Sequence, residues 1–152
     1  MHSTLKKFGY PASVLLETQH WAVLLRPQQV TLGSMVLVLK AEGVTSLGGV
    51  GRAASREMPE ICATIEAVLR DRLGAEKFNY LCLMMVDPHV HFHVLPRYGA
   101  TVEMAGRRFE DRFWPGAPDI AGKLDLGSDE QATLQAMLGE AFAISGAVAR
   151  SN

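Results

Sequence analysis

His89, His91 and His93 alternate with Val90 and Phe92, and Val94-Leu95-Pro96-Arg97 follow directly. In an extended strand successive side chains point to opposite faces, so this spacing predicts three imidazoles on one face and Val90, Phe92 and Val94 on the other. An imidazole, with an unperturbed pKa of ~6.5, can donate a hydrogen bond, take up a proton or attack an electrophile near neutral pH. A row of imidazoles suits an extended anion such as a phosphate chain. One ring attacks phosphorus while its neighbours hold non-bridging oxygens and help a leaving group depart. A single metal ion suits the row less well. Strand positions two apart are separated by roughly 6.5 Å and positions four apart by roughly 13 Å, whereas zinc–nitrogen bonds are only about 2.0–2.1 Å long. One ion cannot collect all three rings from a straight strand, and no companion cluster stands out, since His2 and His20 are the only other histidines. The expectation is a site without a metal ion or other cofactor.

The run His-Val-His-Phe-His-Val-Leu-Pro-Arg resembles the His-x-His-x-His signature, with apolar x, of the histidine triad superfamily of nucleotide hydrolases and transferases. The order of the upstream elements is similar as well, so the resemblance covers roughly residues 8–98. It looks closest to the branch containing the fragile histidine triad protein and the diadenosine polyphosphate hydrolases. The resemblance implies a homodimer and an activity at the α-phosphate of a nucleoside phosphate derivative, either a dinucleoside polyphosphate or a nucleoside phosphoramidate. It implies that His91 attacks phosphorus to form a nucleotidyl-histidine that water resolves, with His89 and His93 binding phosphate oxygens and orienting or protonating around that centre.

The chain departs from that branch near the site. Gly33-Ser34 stands where the branch has Gly-His, so a hydroxyl replaces a fourth imidazole. Arg26 falls near the position of a polar residue beside the ribose, and Met84-Met85-Val86-Asp87-Pro88 replaces a glycine-rich loop carrying an amide. Ser34, Arg26 and Arg97 are therefore candidate substrate-binding residues. The alternative to an enzyme is a nucleotide-binding module with little or no turnover.

The elements that must position these groups are legible from periodicity. Ser13 to Leu16 and Trp21 to Leu25 read as an antiparallel strand pair, and Met35 to Leu39 as a strand buried on both faces. Ala41 to Gly51 reads as a loop; its Gly49-Val50-Gly51-Arg52-Ala53-Ala54 lies too far from the preceding strand to be a dinucleotide fingerprint. Met58, Ile61, Cys62, Ile65, Val68, Leu69 and Leu73 recur at helical steps, Gly74 caps that helix, and Pro59 must lie in its first turn or kink it. Phe78 to Val86 and His89 to Leu95 read as a hairpin turning at Asp87-Pro88, with Met84-Met85 inside the core strand. Residues 99–127 read as an extended surface excursion, solvated or contacting another subunit, and Ser128-Asp129-Glu130-Gln131 as a capping box opening a helix over about residues 129–145. Together these predict one α+β domain over residues 1–152 with a five-stranded antiparallel sheet, one long helix and a C-terminal helix.

Composition narrows the partners. With 48% apolar and 20% charged residues, the chain is an ordinary globular one rather than a disordered one. A net charge of −1 argues against a nucleic-acid partner, which normally shows as a basic excess. No apolar run approaches the roughly 18 residues of a membrane span, and Cys62 and Cys82 have no metal or redox spacing. They read as buried free thiols of a cytoplasmic protein.

Overall fold

The computed structural model describes residues 3–151, and His2 lies outside them. In chain order the elements are a one-turn helix α1 (Ser3–Lys7), strands β1 (Val14–Glu17), β2 (Trp21–Leu25) and β3 (Met35–Leu39), and the long helix α2 (Arg52–Leu73). Strands β4 (Lys77–Leu81) and β5 (His91–Arg97) follow, then a small hairpin of β6 (Val102–Met104) and β7 (Arg107–Phe109), and the C-terminal helix α3 (Ser128–Ser151). The first five strands form an antiparallel sheet in the order β1-β2-β3-β5-β4. This is the expected α+β architecture.

Every residue of β2 and β3 is buried, because both faces of the sheet are covered. On one face Trp21, Val23, Leu25, Met35, Leu37 and Leu39 pack against Ile61, Ile65 and Leu69 of α2 and Leu134, Leu138 and Phe142 of α3. The Trp21 indole N–H donates to the Ala54 carbonyl at 2.9 Å, fixing β2 to the start of α2. Gly33 has φ +88, and a Cβ there would come within 3.0 Å of Leu69 and 3.1 Å of Leu73, so β3 enters beneath α2 at a place only glycine fits. On the opposite face Ala22, Leu24, Val36 and Val38 cluster with Leu5 and Phe8, with the partly buried Tyr10 and Val14 packed against them.

Helix α2 ends as expected, with Gly74 left-handed and its N–H on the Arg70 carbonyl, while the Ala75 N–H reaches the Leu69 carbonyl. Pro59 lies inside α2, beyond the first turn. It removes the N–H that would bond the Ser55 carbonyl, and exposure of both residues leaves that carbonyl to water.

Five expectations are corrected. The β4–β5 pairing runs from Lys77 opposite Arg97 to Leu81 opposite His93, but β4 stops at Leu81 and β5 begins only at His91. Residues 82–90 form a loop in which Met84, with φ 49, packs half-buried against the core while Met85 and Val86 are 84% and 93% exposed, so Met85 is not core. Residues 102–109 form the β6–β7 hairpin rather than a plain excursion, turning at Ala105-Gly106 with φ 53 and 73. The cap of α3 sits one residue earlier than the Ser128 box: the Glu130 carboxylate accepts the Gly127 N–H at 3.0 Å, and the helix extends to Ser151. Finally, Cys62 and Cys82 are free but only half-buried. No described helix is long and apolar enough to cross a membrane.

Candidate active site

Strand β5 is held in register by β3, where Val36 faces His93 and Val38 faces His91. Beyond Leu81 the other neighbour, β4, leaves the sheet, so the loop 82–90 closes around His91 instead. His91 and His93 project onto the thinly covered face, with ring centroids 5.1 Å apart and planes 81° to each other. Phe8, just after α1, packs on both rings at 6.0 and 6.1 Å.

His89 does not join this row. Val90 gives its N–H to the Val44 carbonyl and its carbonyl to the Leu39 N–H, so the chain is still bending when it passes His89. The His89 Nε2 lies 2.7 Å from the Leu39 carbonyl and the ring is buried there. The expected three rings on one strand face are therefore two. The first histidine contributes its main chain instead: the His89 carbonyl lies 2.6 Å from His91 Nδ1. A carbonyl only accepts, so in the neutral His91 ring Nδ1 carries the proton and Nε2 the lone pair.

His91 and His93 line a pocket of about 230 Å³ together with Lys7, Arg26 and Asp87, with Phe8 and the loop residues Leu83 to Val86 as its apolar wall. Among the described residues, Arg26 Nε and His93 Nδ1 are both buried without a hydrogen-bond partner. Buried polar atoms are ordinarily paired, and two unpaired nitrogens on residues of one pocket mark a place for an acceptor-bearing ligand. Burial, then the charges of Arg26, His91 and Lys7, push His93 down to about 4, so its ring is neutral at pH 7. Burial alone would raise the Asp87 carboxyl, but the Thr4 hydroxyl, the His89 N–H, His91 and Lys7 hold it below its ordinary value. With Lys7 and Arg26 on its walls, the pocket can hold an oxyanion against two fixed cations.

Of the substrate-binding candidates, Arg26 reaches this pocket. Ser34 and Arg97 do not. The Ser34 hydroxyl donates to the Thr31 carbonyl at 2.6 Å and accepts the N–H groups of Val30 and Thr31, which closes the turn before β3. Arg97 is spent on a buried fork, its Nε and Nη2 on Asp111 at 2.6 and 3.1 Å and its Nη1 on the Asn79 amide oxygen at 2.9 Å. Lys7 and Phe8 escaped the sequence reading, and Asp87 entered it only as part of the Met84 to Pro88 loop. The first two belong to a segment too short to show a helical period; the Lys6-Lys7-Phe8 triplet, cations followed by an aromatic ring, is the only trace of them.

A larger cavity of about 700 Å³ runs along the outer side of β4, between Phe78, Tyr80 and the Trp114 to Pro118 segment. Its lining includes Arg97 but no imidazole, so the smaller pocket is the candidate site. Among the described residues no group of three or more His, Cys, Asp or Glu side chains could hold a metal ion.

No family model and no curated protein matches the chain. Solved structures do. A histidine triad protein from Marinobacter aquaeolei VT8 matches with TM-score 0.70 at 19% identity, over 94% of this chain and 95% of that one. A histidine triad (HIT) protein from Sinorhizobium meliloti 1021 matches with TM-score 0.69 at 20% identity, over 92% and 94%. The chain has the histidine triad fold. A hypothetical histidine triad nucleotide-binding protein from Sulfolobus tokodaii strain 7 shares it as well, with TM-score 0.64 and 16% identity over 86% of this chain and 83% of that one. In this version of the histidine triad fold, the segment before β1 supplies two of the pocket's walls, Lys7 and Phe8.

Proposed function

We propose that the protein is a nucleotide hydrolase or nucleotidyl transferase acting at the α-phosphate of a nucleoside phosphate derivative. The observation that carries this reading is the 2.6 Å contact between His91 Nδ1 and the His89 carbonyl, which makes Nε2 the nucleophilic nitrogen of a ring lining a pocket with two cations. Attack by Nε2 forms a phosphorus–nitrogen bond as the bond from phosphorus to the leaving group breaks. The leaving group departs with that electron pair and takes up a proton. Water then adds to phosphorus, the phosphorus–nitrogen bond breaks, and a nucleoside monophosphate is released with the imidazole restored. Arg26 and Lys7 offset the charge that builds on the non-bridging oxygens, and neutral His93 donates or accepts a hydrogen bond beside them. His89 acts here as a positioning residue, through its carbonyl.

The histidine triad fold and the nucleotide-binding description of the Sulfolobus protein support a nucleotide as ligand. Assignment to the fragile histidine triad branch rests on the resemblance of residues 89–97. The half-buried free thiols Cys62 and Cys82 support a reducing compartment such as the cytoplasm. A homodimer is part of the proposal: β4 is an edge strand with an unpaired outer side and a cavity beside it, a template for a second copy.

The test is turnover of a panel of dinucleoside polyphosphates and adenosine phosphoramidates by wild type and His91→Ala, with mass spectrometry of the quenched protein to find a nucleotidyl adduct on His91. Loss of turnover in the variant and an adduct in the wild type are expected. Equal turnover by both proteins would remove His91 from the mechanism. Tight nucleotide binding without turnover would favour the binding module, a reading supported by the diversion of Ser34 into its own turn.

A further inference from the structure

The pocket's charges and its rim bear on which leaving group it accepts. In-line displacement places the leaving group on the far side of phosphorus from His91. The loop after β4 gives the pocket its exposed apolar lining: Leu83 is 46% exposed, Met85 84% and Val86 93%. Such side chains gain nothing from a phosphate chain, which would stay hydrated beside them, but gain from covering another apolar group. Met84 holds this loop out in the left-handed region, where a non-glycine residue is uncommon, at φ 49. Asp87 accepts the His89 N–H at 3.2 Å and so ties the same loop to the start of β5.

Charge points the same way. Lys7 and Arg26 are the pocket's fixed cations and Asp87 its one carboxylate, with His93 neutral at pH 7. A phosphodiester carries one negative charge, which the two cations match with the Asp87 carboxylate left nearby. A dinucleoside polyphosphate brings further negative charges, and the phosphates beyond the reacting one must pass Asp87 and the apolar rim. Like charges in a partly dehydrated pocket repel more strongly than in water.

We propose that Asp87 and the Leu83–Val86 rim make the pocket selective for nucleoside monophosphate esters with an uncharged, apolar leaving group, and select against leaving groups that are themselves phosphates. This rests on the hydrolase reading above and narrows its substrate class. Asp87 and Met85 are the specificity-determining residues, the first by repelling a second phosphate and the second by covering the apolar group.

The experiment compares two substrates with the same adenosine α-phosphate, the 4-nitrophenyl ester of AMP and diadenosine tetraphosphate, by kcat/KM. Wild type is expected to prefer the aryl ester by about tenfold or more, the scale of one well-placed apolar contact. Asp87→Asn keeps an acceptor oxygen for the His89 N–H and should shift the ratio of the two kcat/KM values toward the tetraphosphate by about tenfold. Met85→Asn, at a position too exposed to affect folding, should raise KM for the aryl ester alone by about threefold to tenfold. A wild type that prefers the tetraphosphate, or a ratio that neither variant moves, overturns the selectivity while His91-dependent turnover still upholds the hydrolase. Turnover of neither substrate, nor of the wider panel, removes the hydrolase reading and the selectivity with it.

Discussion

The two faces of the central sheet are built to different ends. The face toward α2 and α3 is closed by long aliphatic and aromatic side chains, and its one indole N–H is satisfied by Ala54. The face toward α1 carries Ala22, Leu24, Val36 and Val38 under Leu5 and Phe8 and leaves Arg26 Nε and His93 Nδ1 unpaired nearby. The closely packed core lies on one side, and the two unpaired nitrogens of the pocket residues on the other. A site that must receive an anion cannot complete its own hydrogen bonds beforehand, so it needs the other face to hold the strands still.

The largest effect expected from separating the faces is on turnover. His91→Ala should reduce kcat by about 10⁴-fold or more, as removal of a nucleophile does, while leaving the denaturant midpoint almost unmoved. On the helical face the reverse holds. Leu69→Ala, at a fully buried position, should cost about 3–5 kcal/mol in urea unfolding with little change in KM for the folded fraction. Phe8→Ala should cost less stability than Leu69→Ala, because its site opens to water, yet should raise KM more. If Phe8→Ala proved the more destabilising of the two, the division between the faces would be wrong.

A third expectation concerns the buried Arg97–Asp111 pair, whose side chains are 4% and 1% exposed. Asp111→Ala leaves a guanidinium buried without its partner and should destabilise by about 3–5 kcal/mol, without altering the pH profile of turnover. Double substitution of both partners by apolar residues should recover much of that loss, measured by the same unfolding curves.

The smallest effect is a pH dependence confined to the α1 face. The folded-state pKa of His93, about 4, lies below the ordinary histidine value of 6.5. The unfolded chain therefore binds a proton that the folded chain refuses as pH falls between those values. The stability from neutral His93 is complete above pH ~6.5, declines on acidification, and is fully lost below the folded-state pKa. His93→Gln should flatten that acid limb of the stability curve. An anion bound beside His93 should raise its pKa, so calorimetry between pH 5 and 6 should show proton uptake on nucleotide binding; release would contradict the placement of the anion.

Much of the stable face was legible in the sequence. Trp21 to Leu25, Met35 to Leu39 and the Ile61-Ile65-Leu69 stripe declare themselves because their burial sets their periodicity. The site was legible only at its centre. His91 and His93 share a face as their spacing requires, but His89 escapes the strand because Val90 is bonded to Val44 and Leu39 across a bend, contacts that no local pattern encodes. Tyr80 to Val86 is a continuous apolar run, and hydrophobicity alone could not show that Met85 and Val86 face solvent. Ser34, before β3, and Arg97, at the end of the motif, are polar residues whose partners, Thr31 and Asp111, decide their roles. The Val102-Glu103-Met104 and Arg107-Arg108-Phe109 hairpin hid behind three-residue strands, although Ala105-Gly106 between them was a readable turn.

The fork from Arg97 to Asp111, like the packing of α3 on the sheet, means the chain cannot be excised intact at the end of the motif. Asp111 lies past the small hairpin, well outside residues 8–98 where the signature and its upstream elements fall. A fragment trimmed to that stretch would keep both pocket imidazoles and the pocket lysine's neighbour Phe8, yet carry an orphaned guanidinium in its interior. The minimal folding unit is therefore longer than the minimal motif, and limited proteolysis between residues 99 and 111 should unravel the sheet rather than release a working core.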